Sequence, residues 1–223
     1  MKSTEFITEA PLPDDWDTKA FSSFNPIKKQ VAYALERSKK IGSGSSRIVT
    51  SIMYQGRPTA LKIAKNKKGL AQNEAELAIV NDGYAKGMAI IIPLIDYDKE
   101  SVIPRWIQFE MAEKANEKQL CAIMKCARLT DVLLIAGIIS GKNRDGGDRI
   151  ASSVNVQRAA AGYSSQEDED TFYEYVNELA ELANSFDIEL VDFQTASNWG
   201  IYKGRAVIID VGFTSGVASS HYS

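Results

Sequence analysis

The sequence predicts an α+β chain in two lobes, a strand-rich first lobe and a minimal, helical second lobe. Three observations carry this. Segments of strand composition dominate the first half around one prominent helix. Helical spacing dominates the second half. Near the end, apolar runs at 200–202 and 206–209 flank Lys203-Gly204-Arg205 as a late hairpin.

Taken in order, residues 1–25 mix polar groups with Pro11, Pro13, Asp14, Asp15 and Asp17 and read as an extended arm. Residues 26–40 read as a helix, because Pro26 suits a helix start and Ile27, Val31, Ala34 and Leu35 share a face. Residues 48–54 and 59–64 read as strands joined by the turn chemistry of Gln55-Gly56-Arg57-Pro58. Helical spacing at Leu70, Leu77, Ile79 and Val80 marks 69–82, with Gly83 as the stop. Further strands are expected at 90–95 and 106–111, and helices at 116–129 and 131–139. The stretch 140–170 is rich in Gly, Ser, Asn and charge, with some helix around Ala159. Residues 171–186 form an amphipathic helix striped by Phe172, Tyr175, Val176, Leu179, Leu182 and Phe186. Asp168, Glu169 and Asp170 precede it, where the helix dipole favours negative charge. A short apolar run follows at 188–191. The expected units are an arm and helix at 1–40, a first lobe at 41–112 and a second at 113–223.

Composition narrows the function classes. The chain has 223 residues, 44% hydrophobic and 25% charged, enough to bury a core. A net charge of -3 leaves no electrostatic footprint for nucleic acid, and no basic patch is interleaved with aromatic residues. The longest apolar run, 132–139, is too short to cross a bilayer, and the N-terminal residues carry no apolar signal region. A cytoplasmic protein with no membrane partner is expected. Cys121 and Cys126 fit no zinc spacing and are expected to be reduced packing residues. His221 is the only histidine, so a histidine-based triad or zinc site finds little support.

The residues that point to chemistry are far apart in sequence. Gly42-Ser43-Gly44-Ser45-Ser46-Arg47 opens a β-rich stretch, and 20 positions after Gly42 stands Lys62. A dinucleotide-binding loop opens a helix and is followed at about that distance by an acidic residue, so this loop is of another kind. A glycine-rich hairpin tip lets backbone N–H groups approach phosphate without side chains in the way. Arg47 could touch phosphate or fill the turn. Alternation puts Ala60, Lys62 and Ala64 on one strand face, where small alanines leave room for a ligand beside the ammonium. Such a charge needs a partner, which Glu74 or Glu76 can supply; Glu74 is taken as the expected one. Asp210-Val211-Gly212 ends an apolar strand, and Asn198 lies across the proposed hairpin. A carboxylate and an amide oxygen converging there suit Mg²⁺.

In this order, the stretches Gly-Ser-Gly-Ser-Ser-Arg-Ile-Val, Leu-Lys-Ile-Ala-Lys-Asn and Ala-Gln-Asn-Glu-Ala-Glu resemble the protein-kinase fold over residues 41–213. More narrowly, the chain resembles short kinase-like proteins of tailed bacteriophages, among them the early serine/threonine kinase type of T7-like phages. The resemblance implies ATP and Mg²⁺ as cofactors. It implies that Gly42, Ser43, Gly44 and Ser45 cover the phosphates, that Val49 and Ala60 line the nucleotide, and that Lys62 pairs with Glu74. Glu110 and Ala112, in Phe109-Glu110-Met111-Ala112, would be the hinge that holds adenine. Asn198 and Asp210 would bind metal, and Asp192 would orient or deprotonate the substrate hydroxyl.

Departures from the pattern keep more than one function open. The usual place of the catalytic base, five residues before the metal-binding asparagine, is Phe193, and Asp192 is one residue earlier. Leu190-Val191-Asp192 stands for His-Arg-Asp, and Asp-Val-Gly for Asp-Phe-Gly. The sequence ends 11 residues after Gly212, so no full activation segment and no control by its phosphorylation is expected. The first expectation is a Ser/Thr protein kinase acting on a host or phage protein. The alternatives are a pseudokinase that binds nucleotide or a protein partner, and a kinase-fold enzyme of nucleotidyl transfer or small-molecule phosphorylation.

Overall fold

Phe21 and Ala34, both fully buried, show how the chain's first segments are held. In this computed structural model, which describes residues 16–141, 163–186 and 188–212, helix α1 (Thr18–Ser23) starts where the Asp17 carboxylate accepts the N–H groups of Lys19 and Ala20 at 2.9 and 3.0 Å. This cap satisfies orphan helix donors, so part of the expected extended arm is helical. Helix α2 (Ile27–Arg37) follows. It stops earlier than expected because Lys39 and Lys40 belong to strand β1 (Lys39–Ser43), whose backbone pairs antiparallel with β2 (Arg47–Tyr54). Gln55 and Gly56 then adopt left-handed φ values of 52° and 77°, the geometry of a two-residue hairpin, and lead into β3 (Arg57–Ala64).

With β4 (Leu94–Tyr97) and β5 (Trp106–Glu110) these strands make a five-stranded antiparallel sheet of order β1-β2-β3-β5-β4. The strand expected at 90–95 is displaced to β4. Residues 90–92 instead meet the end of the chain, where Ile208 N–H donates to Ile90 O at 2.7 Å and Ile92 N–H to Ile208 O at 3.3 Å. Strand alternation sorts the sheet's faces. Ile48, Ile52, Leu61, Ile63 and Trp106 pack with Phe21 and Ala34 on one face. Ile107 and Phe109 face the other way and join the larger core, and Lys62, paired in register with Ile107, faces that way too.

Helix α3 (Lys67–Val80) is capped by Asn66, which accepts Gly69 N–H at 3.1 Å. Gly69 is needed for close approach: a Cβ there would lie 2.2 Å from Ser46 O, on the glycine hairpin. After a short strand β6 (Glu113–Lys114), α4 (Glu117–Met124) opens with a reciprocal capping box between Asn116 and Gln119. It ends at Met124 rather than at 129, because Lys125 takes a left-handed conformation. Helix α5 (Leu129–Ile139) packs against α6 (Gln166–Phe186). Helix α6 begins earlier than expected, so its acidic residues fall inside the helix. Phe172, Tyr175, Val176, Leu179 and Leu182 are buried as a stripe, each contributing roughly 1.5–3 kcal/mol on burial. Cys121 and Cys126 are buried free thiols.

The run at 188–191 is not a strand; it enters 3₁₀ turns at Leu190–Gln194 and Ala196–Asn198. Strands β7 (Trp199–Tyr202) and β8 (Arg205–Ile208) form the late hairpin and complete a three-stranded antiparallel sheet, β6-β7-β8. The chain is thus α+β with antiparallel sheets. No helix among the described residues is long and apolar enough to cross a membrane. Residues 1–15, the expected helix around Ala159 and His221 lie outside the described residues.

Candidate functional site

The hydrogen bonds that bring β7–β8 against residues 90–92 also bring residues 209–212 under the first sheet. A cavity of about 510 Å³ opens between them. Its walls include Gly42, Val49, Ala60, Lys62, Glu110, Ala112, Asn198 and Asp210. Eight of the expected site residues, from 42 to 210 in sequence, therefore face one space. Its apolar lining includes Ile41, Val49, Ile92 and Phe109, together with Glu110–Ala112. Its charged lining includes Lys62 and Asp210.

Lys62 Nζ lies 2.6 Å from Glu76 Oε1 and donates to Ile209 O at 2.6 Å. It also sits 4.9 Å from the Phe109 ring centroid. The expected pairing with Glu74 is thus corrected. Glu74 is exposed on α3, whereas Glu76 lies on the helix face with Gly69, Asn73 and Val80 that turns inward. The helical repeat places 69, 73, 76 and 80 on one side and 74 away from it.

Arg47 completes the cluster. Its Nη1 lies 2.5 Å from Glu76 Oε2 and its Nη2 2.5 Å from Asp210 Oδ1. The guanidinium is buried, so it fills no exposed turn. Burial opposes its charge, but Asp210 and Glu76 more than offset this and hold its pKa above the ordinary arginine value. Partial desolvation pushes the Asp210 carboxyl up; the charges of Arg47 and Lys62 outweigh that and hold it well below the usual carboxylate range. Gly212 N–H donates to Asp210 Oδ1 at 3.3 Å. A Cβ at Gly212 would come within 2.9 Å of Gln72 O, so the residue after Val211 must be small.

The glycine hairpin is braced from the junction of β3 and α3. Lys65 Nζ donates to Gly44 O at 2.5 Å and Asn66 Nδ2 to Ser45 O at 3.1 Å. Gly44 N–H donates to Arg47 O across the turn at 3.0 Å. Ser43, Gly44 and Ser45 are exposed at the tip and do not line the cavity. A Cβ at Gly44 would meet nothing within 4 Å, and one at Gly42 only Val49 at 3.6 Å, an ordinary contact. Packing in the chain therefore does not demand glycine at either place.

Asn198 Nδ2 donates to Asp192 O at 2.7 Å, and Trp199 Nε1 to Phe193 O at 2.8 Å, which pins the 3₁₀ turns against β7. With its donor end used on the chain, the Asn198 amide keeps its oxygen as an acceptor. Asp192 is half-buried and outside the cavity wall. Burial, and then the neighbouring Asp210 charge, push its carboxyl up. No group of three or more His, Cys, Asp or Glu among the described residues forms a cation cage. Asn198 and Asp210 fit Mg²⁺ in donor type, since Mg²⁺ takes one or two carboxylates and completes its shell with water and phosphate oxygens. Sequence reasoning offered Glu76 as the alternative partner of Lys62 but preferred Glu74, and it missed the ion pairs of Arg47 with Glu76 and Asp210. The helical spacing of Gly69, Asn73, Glu76 and Val80 carried the signal for Glu76; nothing local marked Arg47.

Compared with protein-family models and with curated proteins, the chain matches none.

Proposed function

We propose that this chain is a two-lobed, protein-kinase-like phosphotransferase that uses ATP and Mg²⁺ on Ser or Thr hydroxyls of a host or phage protein. The observation that carries this reading is one cavity that brings apolar side chains and the Glu110–Ala112 segment together with Lys62 and Asp210, with Glu76 buried behind Lys62 as its partner. Its apolar side chains and the Glu110–Ala112 segment suit a flat, hydrogen-bonding base. Its charged residues suit phosphate. Lys62 uses two of its three donors on Glu76 and Ile209 O, leaving one for a phosphate oxygen. Glu76 keeps the ammonium in place. Asn198 and Asp210 would hold the metal, which when bound offsets the negative charge that develops on the transferring group. In the transfer, the bond from the γ-phosphorus to its bridging oxygen breaks. A bond to the substrate oxygen forms, and the hydroxyl proton passes to Asp192. A carboxyl whose affinity for protons is raised, as here, is a better base once ionised.

The position of Asp192 favours a second reading, a nucleotide-binding pseudokinase that acts through a protein partner. Its side chain does not line the cavity, and its place in the sequence is one residue early. Incubating the protein and an Asp210→Ala variant with Mg²⁺ and ATP labelled at the γ or the α position separates these readings. Transfer of the γ-label alone, lost in the variant, is expected. Transfer of the α-label would establish nucleotidylation instead. No transfer, with ATP still raising the melting temperature, would establish the pseudokinase.

A further inference from the structure

Asp210 is already neutralised from within the chain. Arg47 Nη2 and the Gly212 N–H both sit on its Oδ1, yet its side chain is 41% exposed and faces the cavity. Arg47 itself is 5% exposed and does not line the cavity, so it approaches Asp210 from behind. The same guanidinium reaches Glu76, the partner of Lys62, and its Nη1 also donates to Asn73 Oδ1 at 3.4 Å. The cluster of Arg47, Lys62, Glu76 and Asp210 holds two cations and two anions and is balanced as it stands. A divalent cation entering alone would meet two fixed positive charges and a carboxylate whose charge is already shared. A cation entering with a polyphosphate brings compensating negative charge with it.

We propose that Arg47 is a resident counter-charge that makes divalent-cation binding at Asp210 conditional on nucleotide. This rests on the nucleotide-site reading above and adds to it the order of assembly. Metal and nucleotide bind as a unit, and metal alone is rejected. Asn198 supplies no charge to alter that balance. The half-buried Asp192 carboxylate is a further negative group whose charge acts on both Asp210 and Arg47, but among the described residues no hydrogen bond or ion pair joins it to Arg47 or Lys62, and it lies outside the cavity wall.

The test is Mn²⁺ binding followed by electron paramagnetic resonance, on the wild type and on Arg47→Met, Arg47→Lys and Asp210→Asn variants. Each is measured with and without the β,γ-imido analogue of ATP. The wild type is expected to bind Mn²⁺ at least about tenfold more tightly with the analogue than without. Arg47→Met is expected to gain at least about tenfold in affinity for Mn²⁺ alone, Arg47→Lys to stay near the wild type, and Asp210→Asn to lose the site. If the wild type binds Mn²⁺ alone at Asp210 as tightly as with the analogue, the proposal is overturned without recourse to a variant, even if Arg47→Met does not fold. If folded Arg47→Met shows no gain, or Arg47→Lys gains equally, the proposal is overturned while the nucleotide site stands. If the analogue neither binds nor raises the melting temperature of the wild type, the nucleotide site falls and this proposal with it.

Discussion

Glu76 and Glu74 differ by two positions in sequence and by nearly everything else. Glu76 is buried and holds two cations, whereas Glu74 is exposed. Removing one member of a buried charged set leaves the others unpaired in a poor solvent, a loss of about 3–5 kcal/mol. Glu76→Ala is therefore expected to lower stability by about that amount, and Glu74→Ala to change it by less than about 0.5 kcal/mol. Urea unfolding of the two variants checks this; equal effects would refute the burial assignment. At this scale the sequence marked Lys62 through its small neighbours, and Asp210 and Asn198 through the hairpin. It could not choose between two glutamates on one helix by composition, because α3 turns a partly polar face inward, with Gly69, Asn73 and Glu76 buried beside Ile79 and Val80. Arg47 was unreadable for another reason: its partners lie 29 and 163 positions away, at distances no local pattern encodes.

Among the elements, the strands and hairpins read well because alternation and turn residues are local. The errors fall where a side-chain cap or a distant partner decides. Asp17 turned part of an expected arm into α1, a left-handed Lys125 cut one expected helix short, and β2 drew Lys39 and Lys40 into a strand. The start of α6 is set in the same way. The Asp168 carboxylate accepts both the hydroxyl and the N–H of Ser164 and pairs with Lys125 at 2.9 Å, which joins the helix start to the end of α4. The Ser164 hydroxyl, then Lys125, then the Ser164 N–H pull its pKa down to about 2. An unfolded aspartate titrates near 3.9. The stabilisation from this group is thus complete above about pH 5 and is lost as pH falls from about 4 towards 2. Asp168→Asn is expected to unfold at lower urea than the wild type at pH 7, with the gap narrowing between pH 4 and pH 3. A gap of constant size down to pH 3 would remove Asp168 from the acid response.

Across the whole molecule, the two sheets are not joined by a continuous ladder. They meet through Ile208 on residues 90–92 and through the charged cluster, where Lys62 reaches Ile209 O and Arg47 reaches Asp210. The β7–β8 hairpin, which leads into Asp210, is fixed by these contacts with residues more than 100 positions earlier, by the shared hydrophobic core and by the Tyr175 hydroxyl, which accepts Ala206 N–H at 3.1 Å. Such contacts decide whether a chain opens as one unit or in parts. With the cluster intact, the amides of β3 and β8 are expected to exchange with solvent through one opening, with protection free energies within about 1 kcal/mol of each other. Glu76→Ala removes the group that gathers Lys62, Arg47 and the Val211 N–H, 3.4 Å away. In that variant β8 should exchange faster than β3, because β3 keeps ladders on both sides, to β2 and β5, while β8 keeps one ladder, to β7, beside the isolated bonds of Ala206 to Tyr175 and of Ile208 to residues 90–92. Hydrogen–deuterium exchange read by mass spectrometry on peptides covering 57–64 and 205–212 measures both. If the two peptides already differ by several kcal/mol in the wild type, the sheets open independently and the charged cluster does not unite them. If Glu76→Ala slows or speeds both equally, the cluster contributes stability without coupling the hairpin to the first sheet.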